Sequence, residues 1–166
     1  MNWKKDKYTI IRKAITPEMA EFLKIYLLMK RKVLQTFITT QYISEFNNDW
    51  GTWKDQQVPG TYSHYGDIAM ETLLTKLKPK MEKITGTKLF ENYSYARIYK
   101  VKDILRRHKD RFSCEISTTL NLGSDHEWPI YLNPNQEEGG DNPTTGEYMP
   151  SKSKGVKINL KPGDML

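Results

Sequence analysis

Apolar residues recur at helical spacing in the first half of the chain and at a period of two in much of the second. A short run at residues 7–12, Lys-Tyr-Thr-Ile-Ile-Arg, predicts a strand. Thr16-Pro17-Glu18 then reads as a helix start, with a hydroxyl cap, a proline in the first turn and an acid beside it. Phe22, Ile25, Tyr26, Met29, Val33 and Phe37 follow at helical spacing. They predict a helix over residues 17–38 with that stripe facing the core. Residues 44–66 break the pattern with Asn47, Asn48, Asp49, Gly51, Pro59, Gly60 and Gly66, and read as a loop. Asp67 caps a second predicted helix over residues 68–84. Its apolar side is Ile68, Met70, Leu73, Leu74, Leu77 and Met81; Pro79 falls near its middle and Gly86 ends it.

From residue 88 the period becomes two. Tyr93, Tyr95, Arg97 and Tyr99 alternate, and residues 113–122 alternate again with Ile and Thr. Residues 128–132 and 156–160 read as further strands, separated by a long polar loop over 133–154. Residues 161–164 form a turn, after which Met165-Leu166 begins another strand. Helices first and short antiparallel strands after predict an α+β domain, with helices packed outside a β-sandwich or jelly roll. The length of 166 residues suits one domain, 1–166, mainly helical over 1–87 and stranded over 88–166.

Composition narrows the setting. A lone cysteine, Cys114, rules out an internal disulfide and fits a reducing compartment. No signal-like start or membrane-length apolar run is present, so a soluble, cytoplasmic protein is expected. The formal charge of +6 admits an anionic ligand without requiring one. Lys100, Lys102, Arg106, Arg107, Lys109 and Arg111 form a basic rim around one conspicuous pair, His108-Lys109-Asp110.

Residues two apart on an extended chain point to one side. His108 and Asp110 can therefore aim an imidazole nitrogen and a carboxylate oxygen at one point, two thirds of a 2-His-1-carboxylate metal face. The plainer alternative is a hydrogen-bonded or solvated surface pair. Among residues 44–66, Trp50, Trp53, Tyr62, His64 and Tyr65 make an aromatic loop that either covers a pocket or is anchored by its rings on a helix. His126 reads as an exposed loop residue, and Cys114 as a small buried one.

With the turn at Gly163-Asp164, residues 93–122 resemble the double-stranded β-helix (jelly roll) of 2-oxoglutarate/Fe(II)-dependent dioxygenases, on the prolyl-4-hydroxylase-like side. The resemblance rests on Tyr99, His108, Asp110 and the following Ser-Cys-Glu-Ile-Ser-Thr-Thr-Leu-Asn run. It implies two supporting N-terminal helices, Fe(II) held by His108 and Asp110, and 2-oxoglutarate and O2 as cosubstrates. It implies that Tyr99 donates its hydroxyl toward the far carboxylate of 2-oxoglutarate. Tyr95, Leu105, Ser117 and Thr119 would line the same pocket, and His64, Tyr65 and Arg111 would lie on the substrate side. A peptide or small molecule is the expected substrate. The distal histidine and the following Arg or Lys that the family uses are not in this sequence, so a domain lacking its last strands is expected. A sheet edge left open there would favour self-association through the C-terminal strands. The competing readings are a nucleic-acid oxidative demethylase and a non-catalytic jelly-roll binding module.

Overall fold

A single helical turn, α1 (Trp3–Asp6), precedes the long helix α2 (Pro17–Thr39) in a computed structural model. The structure describes residues 3–135, 139–141, 148–149 and 152–166. They gather into two compact units, one of residues 22–106 and one of residues up to 21 together with 107–166. Helix α2 begins as its sequence dictates: the Thr16 hydroxyl accepts from the Met19 N–H at 3.2 Å.

The face that α2 buries is not the one its aromatic stripe predicts. Ala20, Leu23, Leu27 and Leu34 are the buried positions, whereas Phe22, Ile25 and Met29 are 66%, 51% and 55% exposed. At ~100° per residue the centres of the two arcs lie roughly 155° apart, close to opposite sides of the helix. The helix thus has two apolar arcs, and the compact aliphatic one packs.

In the same unit α3 (Ile68–Thr85) follows a short strand, β1 (Tyr62–Tyr65). The Asp67 carboxylate accepts from the Ala69 and Met70 N–H groups at the start of α3. Gly86 closes it at φ 70°, its N–H donating to the Glu82 carbonyl. Met70, Leu73, Leu77 and Met81 are buried, while Ile68 at the first position is exposed. Pro79 sits within the helix without ending it. Strand β1 pairs antiparallel with β2 (Tyr95–Ile98), Tyr62 opposite Ile98 and Tyr65 opposite Tyr95. It lies inside the segment that reads as loop. Turn residues Pro59-Gly60 dominate the reading there, and Tyr62–Tyr65, just beyond them, become a strand because β2 supplies a partner.

The other unit contains β3 (Ile130–Leu132), β4 (Gly140–Asp141), β5 (Tyr148–Met149) and β6 (Val156–Ile158). Strand β3 pairs antiparallel with β6, and β4 with β5. Parts of the predicted loop over 133–154 lie outside the described residues. The predicted strand over 113–122 is corrected. Only residues 119–121 join a ladder, because only they face a backbone partner among the described residues: the Thr119 and Asn121 N–H groups donate to the Leu166 and Asp164 carbonyls. Met165 pairs with Ile11 as well as with Leu120, so residues 163–166 are hydrogen-bonded along both sides. The predicted strand at residues 7–12 is reduced to that one bridge at Ile11.

Asp164, buried at 3% exposure, locks this corner. Its carboxylate accepts from Arg12 at 2.5 Å, from the Lys13 N–H at 3.0 Å and from the Lys161 N–H at 2.9 Å. Gly163 precedes it at φ 85°, where an added Cβ would stand 2.6 Å from the Ile15 carbonyl oxygen. The architecture is α+β with short antiparallel strand pairs and, among the described residues, no closed barrel. No described helix is long and apolar enough to cross a membrane.

Candidate functional site

His108 and Asp110 stand together. His108 Nε2 lies 3.5 Å from Asp110 Oδ1, with their side chains 33% and 48% exposed. The backbone here carries no strand assignment, so the two side chains come together without a sheet ladder to align them. The His108 imidazole holds the Asp110 carboxyl below its usual range; burial opposes this, and a hydrogen bond from the Ser117 hydroxyl adds to it. Ser117 thus reaches the same carboxylate.

The donor set suits a divalent cation of borderline softness: one imidazole nitrogen and one ionised carboxylate. At metal–ligand bonds of ~2.1 Å, adjacent ligands sit about 3 Å apart, so closing by about half an ångström would let both atoms bind one ion. No third His, Cys, Asp or Glu joins them among the described residues. His126 is exposed. Arg111 is exposed too, and its carbonyl accepts from the Cys114 N–H; Cys114 itself is half-buried. Thr119 is exposed and serves the ladder to Leu166.

The predicted pocket tyrosines belong to the other unit, where an arginine that the resemblance does not single out joins them. Arg97 donates from Nε to Asp55 at 2.7 Å, from one terminal nitrogen to the Tyr99 hydroxyl at 3.0 Å and from the other to Gln57 at 2.9 Å. The Tyr95 hydroxyl donates to the same Asp55 oxygen at 2.8 Å. The Arg97 carbon lies 5.0 Å and 5.5 Å from the centroids of the two tyrosine rings. Burial alone would raise the Asp55 carboxyl. The Val58 N–H, Arg97 and Tyr95 outweigh it, so Asp55 titrates below its ordinary value. The guanidinium is raised in turn, despite its own burial, by Tyr99 and Asp55. The period-two spacing of Tyr95, Arg97 and Tyr99 carried the signal for this cluster; nothing local identified distant Asp55. Leu105, at 36% exposure, is on the surface.

His64 lies on β1 and is 7% exposed. Its Nδ1 is 3.3 Å from Asp67 Oδ2. Burial first, then the Lys30 charge, lower its pKa; Asp67 works in the opposite direction. Asp67, 1% exposed, also accepts from the Tyr26 hydroxyl at 2.7 Å and from the Lys30 ammonium. Burial and then that carboxylate push the Tyr26 phenol up to about 12. The Asp67 carboxyl itself is lowered: burial raises it, but Lys30, Tyr26 and the Met70 N–H win. Tyr65 is exposed and stacks on Tyr93 at 4.7 Å. The aromatic loop is anchored by its rings. Phe37 of α2 meets Trp50 edge-on at 5.3 Å, Trp53 meets Tyr62 at 5.6 Å, and the Tyr62 hydroxyl donates to the Trp50 carbonyl.

No family model matches the chain, and no curated protein or solved structure is significantly similar to it.

Proposed function

We propose that this chain carries the ligand pair of an Fe(II)/2-oxoglutarate-dependent oxygenase, a hydroxylase of a peptide or small molecule on a jelly-roll framework. One observation carries the reading: an imidazole nitrogen and a carboxylate oxygen, two residues apart, sit 3.5 Å from each other and open to solvent. His108 and Asp110 would hold the metal. Bound Fe(II) would supply oxidation of a C–H bond coupled to decarboxylation of 2-oxoglutarate. The protein's part is preparation. Asp110 is held ionised, as a ligand must be, and Ser117 fixes its carboxylate. Calorimetric titration of Mn(II) into the wild type and into His108→Ala and Asp110→Asn tests the pair. Saturable binding that falls at least tenfold in both variants (about 1.4 kcal/mol) is expected. Equal binding by all three proteins removes the metal reading.

A second reading, a non-catalytic binding module, has one observation in its favour. The Tyr95 and Tyr99 hydroxyls, which the oxygenase reading assigns to the cosubstrate, are engaged by the Asp55–Arg97 pair. Titration of 2-oxoglutarate into the Mn(II)-loaded protein separates the two. Binding that weakens in Tyr99→Phe supports the oxygenase, and metal binding without cosubstrate binding supports the module.

A further inference from the structure

Helix α2 leaves its second apolar arc uncovered. Phe22, Ile25 and Met29 each expose more than half their surface, and Leu28 flanks them at 37%. A groove of about 690 Å³ runs beside them, its lining half apolar (Ile25, Leu28, Met29 and Trp53) and half polar, Arg31 and Lys32 included. Scattered apolar side chains on a surface need no explanation, but a run along one helix face marks an interaction site.

The charges framing the arc indicate what covers it. Glu18 and Lys32 stand seven residues to either side of Ile25. At ~100° per residue, seven residues return almost to the same side of a helix, so both border the arc, one at each end. Glu21 borders the arc between Lys32 and Leu28, and Lys24 and Arg31 lie further round the same helix. An acidic end and a basic end, symmetric about an apolar centre, form a self-complementary surface.

We infer that a second copy of this chain covers the arc, α2 packing antiparallel on α2 about a two-fold axis at Ile25. This register sets Ile25 against its own copy and Phe22 against Leu28. Glu18 faces Lys32, and by symmetry the contact occurs twice. Antiparallel packing also opposes the two helix dipoles. A single helix pair buries less than the ~800 Å² per partner of a standard interface, so the dimer is weak, in the micromolar range or above. It uses side chains of α2 and not the 163–166 segment, whose backbone is paired on both sides.

Sedimentation velocity of the full chain, from low micromolar to submillimolar concentration, tests the inference. The wild type is expected to shift from monomer to dimer, and Ile25→Lys to stay monomeric. Glu18→Lys and Lys32→Glu each place like charges opposite one another twice, and each should weaken association about tenfold or more. Mixing these two variants restores both opposite-charge pairs, so the mixture should associate at least as tightly as the wild type. Circular dichroism verifies the fold of each variant; Lys32→Glu leaves the helix cap untouched and serves where Glu18→Lys loses structure. A wild type that remains monomeric throughout overturns the proposal. So does a dimer that survives Ile25→Lys, or a mixture no tighter than its components.

Discussion

Removal of the Asp67 carboxylate should be among the most damaging single changes in residues 22–106. Asp67 is fully buried and holds four donors: the Ala69 and Met70 N–H groups, the Tyr26 hydroxyl and the Lys30 ammonium. Asp67→Ala removes an N-cap, which costs about 1 kcal/mol. It also leaves the Tyr26 hydroxyl without its acceptor, about 1 kcal/mol more. The Lys30 side chain, 12% exposed, then has an ammonium with no counter-charge. A broken buried pair costs about 3–5 kcal/mol, reduced here because Lys30 retains some water and lies 5.7 Å and 5.9 Å from the Tyr26 and Trp50 ring centroids. The total is about 3–6 kcal/mol.

Asp67→Asn keeps an oxygen for the cap and for Tyr26, and should lose only about 2–3 kcal/mol. Urea unfolding followed by far-ultraviolet circular dichroism measures both. With a slope of about 2 kcal/mol/M, the alanine variant should move the midpoint down by roughly 1.5–3 M. Adding Lys30→Met to Asp67→Asn removes the stranded cation, so the double variant should be more stable than the sum of the single losses by about 1 kcal/mol or more. The pH dependence has a fixed sign. The folded-state pKa of Asp67 is lowered, so its stabilisation is complete above the unfolded carboxylate value of ~3.9 and is lost as pH falls through the folded value. The gap between wild type and alanine variant should therefore narrow in acid. An Asp67→Ala protein within 1 kcal/mol of the wild type at neutral pH would refute this account of the cluster.

Three further outcomes follow from the same structure. His64 has a lowered folded pKa, so wild-type stability should fall as pH drops below the unfolded histidine value of ~6.5, and His64→Gln should flatten that part of a urea-midpoint profile. Asp164→Ala should cost about 2–4 kcal/mol in urea melts, since it strands the Lys13 and Lys161 N–H groups and Arg12, although Arg12 can turn to solvent. Gly163→Ala should destabilise by about 1–3 kcal/mol in the same assay, because its positive φ and the Ile15 carbonyl both exclude a Cβ.

The sequence was most legible where a local interaction decides the outcome. Thr16 with Pro17, and Asp67 with Gly86, set the ends of α2 and α3 through side chains within a turn of the backbone they cap. The strands were less legible because a strand needs a partner that its own residues do not name. Tyr62–Tyr65 follows a Pro-Gly turn and still pairs, because Tyr95–Ile98 is available to it. Residues 113–118 alternate well and have no ladder partner among the described residues. The stripe on α2 failed for a different reason. Periodicity finds an apolar arc but does not rank two arcs on one helix, and the leucines at 23, 27 and 34 took the core.

The candidate sites divide in the same way. His108 and Asp110 were readable as a pair because two residues of chain constrain them strongly, and Ser117 joins them from only seven residues away. Asp55 and Arg97 are 42 residues apart, and no spacing rule brings them together. Yet Arg97 engages the hydroxyl of Tyr99, the residue on which the cosubstrate reading depends. By donating to that oxygen, Arg97 fixes where the hydroxyl sits. Tyr99 is thus positioned by a residue outside the motif that singled it out. Arg97→Lys, which keeps the charge but lacks the planar fork, should loosen Asp55, Gln57 and Tyr99 together. If Tyr99 acts only through its own hydroxyl, 2-oxoglutarate binding in Tyr99→Phe should fall while urea stability changes by less than about 1.5 kcal/mol, and in Arg97→Lys both should fall. Cosubstrate binding that is unchanged in Arg97→Lys would show that the tyrosine needs no such support.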